Sequence, residues 1–515
     1  MIFPREGNGA YRLLRAVGGA PVPAFHDSLN DPIGKQTSRL RSIARGAAGT
    51  AFGKDAGLTG LESLSEWRAA LPVRSHADLL PWLDRVEAGE PRVLTQERVV
   101  QLVQTSGTTG VPKRVPVTAS WAASIAAAQR LWVLGLLRDD EALAGGAALS
   151  IVSPAVTQRT SGGLAVGSNT GRMFLAQPFW VRWRSPVPYP VYCLENVLNR
   201  QYAILRHALA ADVRSWTAAN PSTVLLYTRR LHEWWEELRR DLADGTLVRS
   251  GARGLAKRQL PESPAWPWNL RRVNCWQGGP AAFFAAKIPA ALGREVPMRE
   301  VGVTASEGYF AVPVDDGDPV AWLGGHLLEF VDEAGAAWWS WELEAGREYR
   351  LVVSTEAGLY RYDLGDIVRV TGFLGSVPRL VFVRRQGAEL SAVGERVTEA
   401  QLQAVAQRVL HSAQAVAACI VWAEVPHLRV AIGVDERGGE VDPRQFDAEL
   451  RRENLEYDDR RETGRYAPPE VLVLPAVAWE RWKEARVAEG APEAQVKNPI
   501  VLDGDRFAEL VERAG

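Results

Sequence analysis

Gln104-Thr105-Ser106-Gly107-Thr108-Thr109-Gly110-Val111-Pro112-Lys113 decides how this chain is read. Small hydroxyl residues alternate with glycine, and a lysine closes the run. Just upstream, Val99-Val100-Gln101-Leu102-Val103 is short, apolar and rich in β-branched residues, which predicts a strand. Gly107 and Gly110 let the backbone turn so that successive N–H groups face one point. Thr105, Ser106, Thr108 and Thr109 add hydroxyls without bulk, and Lys113 adds a full positive charge. Pro112 disfavours the helical region for Val111, which keeps the loop a loop. The guest that such a loop fits is a polyphosphate. The run is not a Walker loop, because Lys113 follows Pro112 and precedes Arg114 instead of sitting in Gly-Lys-Ser/Thr. A buried helix is predicted over Ala119–Leu137. Its start is expected to follow the loop closely and to lend partial positive charge to the phosphates.

Working outward, 515 residues imply about two to four domains. An apolar content of 46% and a charged content of 23% are those of a soluble globular protein. Lys+Arg (60) and Asp+Glu (61) nearly cancel, which argues against an extended nucleic-acid-binding face. Cys193, Cys275 and Cys419 are far apart, with neither metal spacing nor a disulfide framework, so a reducing cytoplasm is expected. The start Met1-Ile2-Phe3-Pro4-Arg5-Glu6 lacks the layout of a signal peptide, and no apolar run approaches the ~20 residues of a membrane helix. The tryptophans are dispersed and read as packing residues.

The first hundred residues look helical, with Ser75 as a helix cap and His76 as a surface or capping residue. Ala148–Val152 reads as a buried strand and 160–169 as a Gly/Ser loop, either a plain connector or a substrate contact. Leu231, Trp234, Trp235, Leu238 and Leu242 fall on one helical stripe stopped by Gly245, with Glu233, Glu236 and Glu237 on a solvated face. Asn274–Gly279 reads as a strand running into a tight turn, with Cys275 buried. Met298–Val303 leads into Thr304-Ala305-Ser306-Glu307-Gly308, where an acid after a strand suits Mg²⁺ beside a phosphate. Tyr349–Ser354 is a strand. In Tyr360-Arg361-Tyr362-Asp363-Leu364-Gly365-Asp366, glycine before the aspartate permits close approach, and the carboxylate can accept from two ribose hydroxyls. Ile367–Val370 and Leu380–Val383 flank Gly375-Ser376-Val377-Pro378 as a hairpin. Arg384-Arg385-Gln386-Gly387 looks like a boundary. Beyond it, a helix over Val397–Leu410, strands at 418–422, 428–434 and 471–474, and a helix at 446–451 make a small α+β domain.

The order of the loop at 105–113 resembles the phosphate loop of adenylate-forming enzymes. With Ser306-Glu307, Tyr360 to Asp366 and Lys497 following in sequence, the chain resembles one branch of that superfamily, the auxin-responsive acyl acid amido synthetases and their bacterial relatives. The likeness also takes in Pro72-Val73, Gly89-Glu90, Gly394-Glu395-Arg396-Val397-Thr398-Glu399, Asn454-Leu455-Glu456-Tyr457-Asp458 and Gln495-Val496-Lys497. The arginine-bearing acid-binding helix of the plant enzymes has no match after Thr118, so no carboxylate clamp is carried over, and two further positions depart from the pattern. Val303-Thr304 stands where the family has tyrosine and a small residue, and Asn498-Pro499-Ile500 where it has x-Pro-Arg.

The resemblance implies an α/β plus α+β architecture: a large adenylation domain over 1–385 with mixed sheets and helices, and a small mobile α+β domain over 386–515 that closes on the active site. It implies ATP and Mg²⁺ as cofactors, and a carboxylic acid and an amine or amino acid as small-molecule partners, with no nucleic acid or membrane. The acid would first be adenylated, and an amine would then take the acyl group to form an amide. In this scheme Thr105, Ser106, Gly107, Thr108, Thr109, Gly110 and Lys113 hold β- and γ-phosphate oxygens. Ser306 lies beside Glu307, the expected Mg²⁺ ligand, and Asp366 fixes the ribose. Arg385 meets ribose or phosphate, and Lys497 arrives from the mobile domain at the α-phosphate or the acid. Transfer to a thiol, or nucleotide binding without catalysis, are the alternatives.

Overall fold

A computed structural model gives the fold, and it describes residues 2–514 apart from 5–8, 105–112, 263–265, 280, 387–388, 391–396, 411–415, 425–426, 435–440, 465, 490, 492–495, 497–500 and 503. The described N-terminal segment is helical, as its pattern predicts. Its last helix, α1 (His76–Glu87), is capped by Ser75, and the Asp78 carboxylate accepts the Ser75 backbone N–H at 2.7 Å in a capping box. Among the described residues no helix is long and apolar enough to cross a membrane.

The loop leaves a small four-stranded sheet. Strands β1 (Gln101–Gln104) and β2 (Arg114–Val117) pair antiparallel, with Gln104 opposite Arg114 at the loop's mouth. Strands β3 (Gln158–Arg159) and β4 (Ala165–Gly167) form a hairpin, which is what the Gly/Ser connector becomes, and β4 runs parallel to β1. The order is β2-β1-β4-β3.

Helix α2 (Ala119–Asp139) is buried along one side, as its apolar run predicts, but the expected helix start facing the loop is not found. Strand β2 intervenes, and the first turn of α2 already holds an anion. The Ser120 N–H donates to the Glu97 carboxylate at 3.1 Å. Burial pushes the Glu97 carboxyl up, yet hydrogen bonds from Ser120, Thr118 and Ala119 outweigh it and hold the group below its ordinary value. Helix α3 (Asn169–Ala176) follows β4 and is capped by Ser168, whose hydroxyl accepts the Gly171 N–H at 3.0 Å.

A second sheet is wholly parallel, with Met298–Arg299, Arg272–Asn274, Val213–Thr217 and Ala147–Ser150 in spatial order. Its core is led by Trp216, Tyr202, Tyr227 and Trp268, packed under helices that include α4 (Pro221–Glu233). The apolar stripe from Leu231 to Leu242 is two helices, not one: α4 ends at Trp234, and Trp235–Asp244 runs on to Gly245 at φ 74°. The acidic residues of that face are paired with arginines, Glu233 with Arg230 at 2.8 Å and Glu237 with Arg249 at 2.7 Å.

An eight-stranded sheet completes the region up to Arg385. Its strands are β5 (Val303–Ala305), β6 (Gly308–Val312), β7 (Val320–Ala321), β8 (Leu327–Val331), β9 (Ala337–Trp338), β10 (Glu348–Ser354), β11 (Tyr362–Leu374) and β12 (Val377–Arg385), in the order β5-β6-β7-β12-β11-β10-β8-β9. The predicted hairpin is β11–β12, closed opposite Leu374 and Val377.

The run Tyr360-Arg361-Tyr362 has a structural reason. Arg361 adopts φ 47°, an uncommon angle for a residue with a side chain, so the tyrosines on either side take different neighbours. Tyr360 stacks on Phe52 and stands edge-on to Trp67. The Arg361 guanidinium reaches Glu329 at 3.0 Å through both Nε and Nη2, and Glu329 is only 1% exposed. Arg68 shares that carboxylate at 2.8 Å, and Arg361 Nη1 donates to the Leu71 carbonyl at 2.5 Å. Removing one partner from a buried pair costs about 3–5 kcal/mol. Arg361→Gln is therefore expected to lower the melting temperature clearly in scanning fluorimetry. An unchanged melt would show that the pair does not support the core.

After Arg385, helix Glu399–Leu410 starts two residues later than its pattern predicts, because Val397–Thr398 is a short strand. Strands β13 (Val416–Glu424), β14 (His427–Val434) and β15 (Glu470–Pro475) form a sheet in that order, antiparallel then parallel. Helix α5 (Val477–Ala488) lies against α4: Glu480 accepts from Arg230 Nη2 at 3.2 Å, and Lys483 Nζ donates to Ser222 Oγ at 3.1 Å. Nearby, Asn220 Nδ2 donates to the Val496 carbonyl at 3.2 Å.

Candidate active site

Four charged residues far apart in sequence, Lys113, Glu307, Asp366 and Arg385, lie within electrostatic reach of one another around Glu307. Three elements bring them there. Lys113 stands immediately before β2, at the foot of the loop. Glu307 occupies the two-residue turn Ser306-Glu307 between β5 and β6. Asp366 and Arg385 are cross-strand partners on β11 and β12, with Arg385 Nε 3.5 Å from Asp366 Oδ1. Gly365, at φ 71°, makes the kink that presents Asp366, and its carbonyl accepts the Gln386 N–H at 2.5 Å. Arg385 Nη2 also donates to the Leu364 carbonyl at 3.2 Å, which holds the guanidinium across the end of the hairpin.

Glu307 is 3% exposed. Among the described residues, the side chain that donates to its carboxylate is the Tyr362 hydroxyl, at 3.3 Å from Oε1. Burial pushes the Glu307 carboxyl up. The positive charges of Arg385 and Lys113 pull it down, and the Asp366 carboxylate opposes them. The Glu307 carbonyl is fixed separately by Trp121 Nε1 from α2, at 2.8 Å. The residue after it must be glycine, because a Cβ on Gly308 would sit 2.5 Å from His326 Nε2. A buried carboxylate with one neutral donor and cations beyond it is a suitable ligand for a hard divalent cation.

Tyr362 and His76 join this group; the sequence gives Tyr362 no site role and reads His76 as a surface or capping residue. The segment before α1 pairs with the start of β11: Arg74 N–H donates to the Arg361 carbonyl at 2.9 Å, and Asp363 N–H to the Arg74 carbonyl at 2.8 Å. That pairing turns His76 inward. His76 is half-buried instead of superficial, its ring edge-on to Tyr362 at 6.3 Å between centroids. Burial and the Lys113 charge both push its pKa down, so it is neutral at physiological pH. Burial, helped by the Glu307 charge, raises the Tyr362 phenol, which stays a donor.

Glu300 ties together the loops at 277 and 301–302 that precede β5. Its carboxylate accepts the backbone N–H groups of Gln277, Val301 and Gly302 at 2.7, 2.9 and 3.1 Å. Burial outweighs these bonds and pushes the carboxyl up to about 7. The sequence reading places it inside the run Met298–Val303 and gives it no role.

The structure thus brings together Lys113, Ser306, Glu307, Asp366 and Arg385. Thr105, Ser106, Gly107, Thr108, Thr109, Gly110 and Lys497 lie outside the described residues.

Models of the GH3 family N-terminal, central and C-terminal domains match residues 22–252, 324–385 and 396–505 of this chain. The chain is 27% identical over 417 residues to an indole-3-acetic acid-amido synthetase of Oryza sativa subsp. indica, covering 70% of this chain and 67% of that protein. It is 26% identical over 434 residues to a jasmonoyl–L-amino acid synthetase of Nicotiana attenuata, covering 74% of each. Among solved structures, the GH3.15 acyl acid amido synthetase superposes with a TM-score of 0.84 at 19% identity, over 95% of both chains.

Proposed function

The chain belongs to the GH3 family, and from that premise we propose that it is an ATP-dependent acyl acid amido synthetase. A carboxylate oxygen of the acid attacks the α-phosphorus of ATP. Pyrophosphate leaves and an acyl-AMP forms. An amine or amino acid then attacks the acyl carbon, AMP departs and an amide remains. The convergence of Lys113, Glu307, Asp366 and Arg385 at the end of the β11–β12 hairpin carries this reading.

The roles follow charge. Adenylation moves negative charge onto the departing pyrophosphate, so catalysis rests on positioning and electrostatic stabilisation. The loop 105–110 would cradle β- and γ-phosphate oxygens, with Lys113 as counter-charge. Asp366 would accept from the ribose hydroxyls. Arg385, already held beside Asp366, would reach ribose or phosphate. The Glu307 carboxylate fits Mg²⁺, which when bound to a triphosphate neutralises its oxygens. Tyr362 orients that carboxylate. Lys497 would come from the region beyond 386, which we take as a second, mobile domain over 386–515 closing on 1–385. A cytoplasmic setting suits the ATP requirement and the dispersed cysteines.

The test is a screen of carboxylic acids against amines, amino acids and coenzyme A, reading AMP and identifying the product by mass. Acid- and amine-dependent AMP release with an amide product is the expected result. A thioester product would redirect the acyl group to a thiol. No AMP with any acid would leave a nucleotide-binding protein without this activity.

A further inference from the structure

Arg172 is a mostly buried cation that the scheme above leaves unused. It stands on the first turn of α3, at the carboxyl end of β4. Strand β4 is the parallel neighbour of β1, with Gly167 opposite Val103, so α3 begins at the same edge of the sheet as the loop. Ligands of open α/β sheets sit outside the carboxyl ends of parallel strands. The Arg172 guanidinium lies over the Trp121 ring at 5.1 Å, and that indole holds the Glu307 carbonyl at 2.8 Å. Arg172 is therefore one side chain away from the turn that carries Glu307.

Its partners are few. Nε and Nη2 donate to the side-chain oxygen of Asn169, at 3.3 and 3.0 Å, and Asn169 is itself buried. Among the described residues no carboxylate lies within ion-pairing distance of it. Arg361 by contrast meets Glu329, and Arg299 meets Asp139 and Asp316, while the buried Arg206 spends its donors on the carbonyls of Thr246, Asp241 and Ala256. Burial lowers the Arg172 pKa to about 10, so the group is still a cation at neutral pH. A guanidinium offers five N–H donors in a planar fork that matches a carboxylate. Here the fork is anchored on one side by Asn169 and stacked on an indole, with its remaining donors available to an anion.

We propose that Arg172 receives a substrate carboxylate, either that of the acyl acid or that of an amino-acid acceptor. This rests on the amido synthetase reading and names the residue that would select for an acidic group. It acts by binding and not by chemistry.

The experiment compares the full-length wild type with Arg172→Gln and Arg172→Lys. Acid-dependent ATP–pyrophosphate exchange is measured with benzoate, indole-3-acetate and octanoate. Amide formation is measured with a set of amino acids and their carboxamides. Loss of a charge-assisted pair is expected to raise the KM for one carboxylate about ten- to a hundredfold. Arg172→Lys should recover part of this, and the KM for ATP should stay within about twofold of wild type. A raised acid KM in exchange assigns the acyl acid. Unchanged exchange, with lost preference for an amino acid over its carboxamide, assigns the acceptor. Unchanged KM values for both carboxylates overturn the proposal, as does an effect on the KM for ATP alone. If neither variant folds, Arg172 serves the packing of Trp121 and the proposal is again overturned. A wild type without exchange for any acid would sink the function itself, whereas an active wild type matched by Arg172→Gln would sink this inference alone.

Discussion

Lys497→Ala is expected to cut acid-dependent ATP–pyrophosphate exchange by about a thousandfold while leaving the melting temperature unchanged. A unit charge at ~4 Å from a developing charge is worth roughly 4 kcal/mol at an effective dielectric near 20. If that is realised mainly in the transition state, it amounts to about three decades of rate. Lys497 lies outside the described residues, but the chain just before it is held. Val496 is 6% exposed, and its carbonyl accepts from Asn220, which is 5% exposed, near the start of α4. The lysine therefore follows a residue docked on the larger part of the molecule. Helix α5, through Glu480 and Lys483, adds ionic and polar contacts to the same helix. A mobile domain must break these contacts to move. Hydrolysis or aminolysis of an independently supplied acyl-AMP should suffer less than its formation. A Lys497→Ala protein with undiminished exchange would remove the residue from the catalytic set.

Local chemistry was well marked in the sequence, and long-range geometry was not. Ser75 announces a helix start because its hydroxyl and Asp78 satisfy the first N–H groups within three residues. Gly245 stops a helix by adopting φ 74°, and Gly375-Ser376 turns a hairpin, each through backbone preferences a reader can apply to a single segment. The candidate nucleotide-binding residues Lys113, Glu307, Asp366 and Arg385 are each legible one at a time in the sequence, and the fold brings them within electrostatic reach of one another. His76 was misjudged because its environment is made by Arg74 pairing with β11, across almost three hundred residues. Glu97 was missed for the same kind of reason. Nothing near residue 97 says that its carboxylate will fill the start of α2 and leave no open N–H groups there for a phosphate. Trp121 and Arg172 look like ordinary members of helices until β4 is seen to lie beside β1. Trp234 breaks a helix inside an unbroken apolar stripe, which periodicity alone cannot detect.

Glu307→Gln separates structure from catalysis more cleanly, because the two readings predict opposite signs. The substitution keeps the shape of the side chain and can still accept from Tyr362. It removes a negative charge from a site where burial opposes that charge. Burying an amide costs less than burying a carboxylate, so without nucleotide the melting temperature should hold or rise. Activity should move the other way. Without the carboxylate the expected Mg²⁺ ligand is gone and the triphosphate loses an anchor, so exchange should fall by about two to three decades, and the Mg²⁺ concentration for half-maximal rate should climb. The wild-type pH profile carries a matching sign. Burial raises the Glu307 pKa, so its proton competes with the cation at a higher pH than an ordinary carboxyl would allow, and the Mg²⁺ requirement should steepen as pH falls. The variant should lose that pH dependence. A carboxylate that only props up the β5–β6 turn would instead give a lower melting temperature, with Mg²⁺ dependence and its pH profile unchanged. That pattern would take Glu307 out of the metal site and leave Asp366 and Arg385 to hold the nucleotide without it.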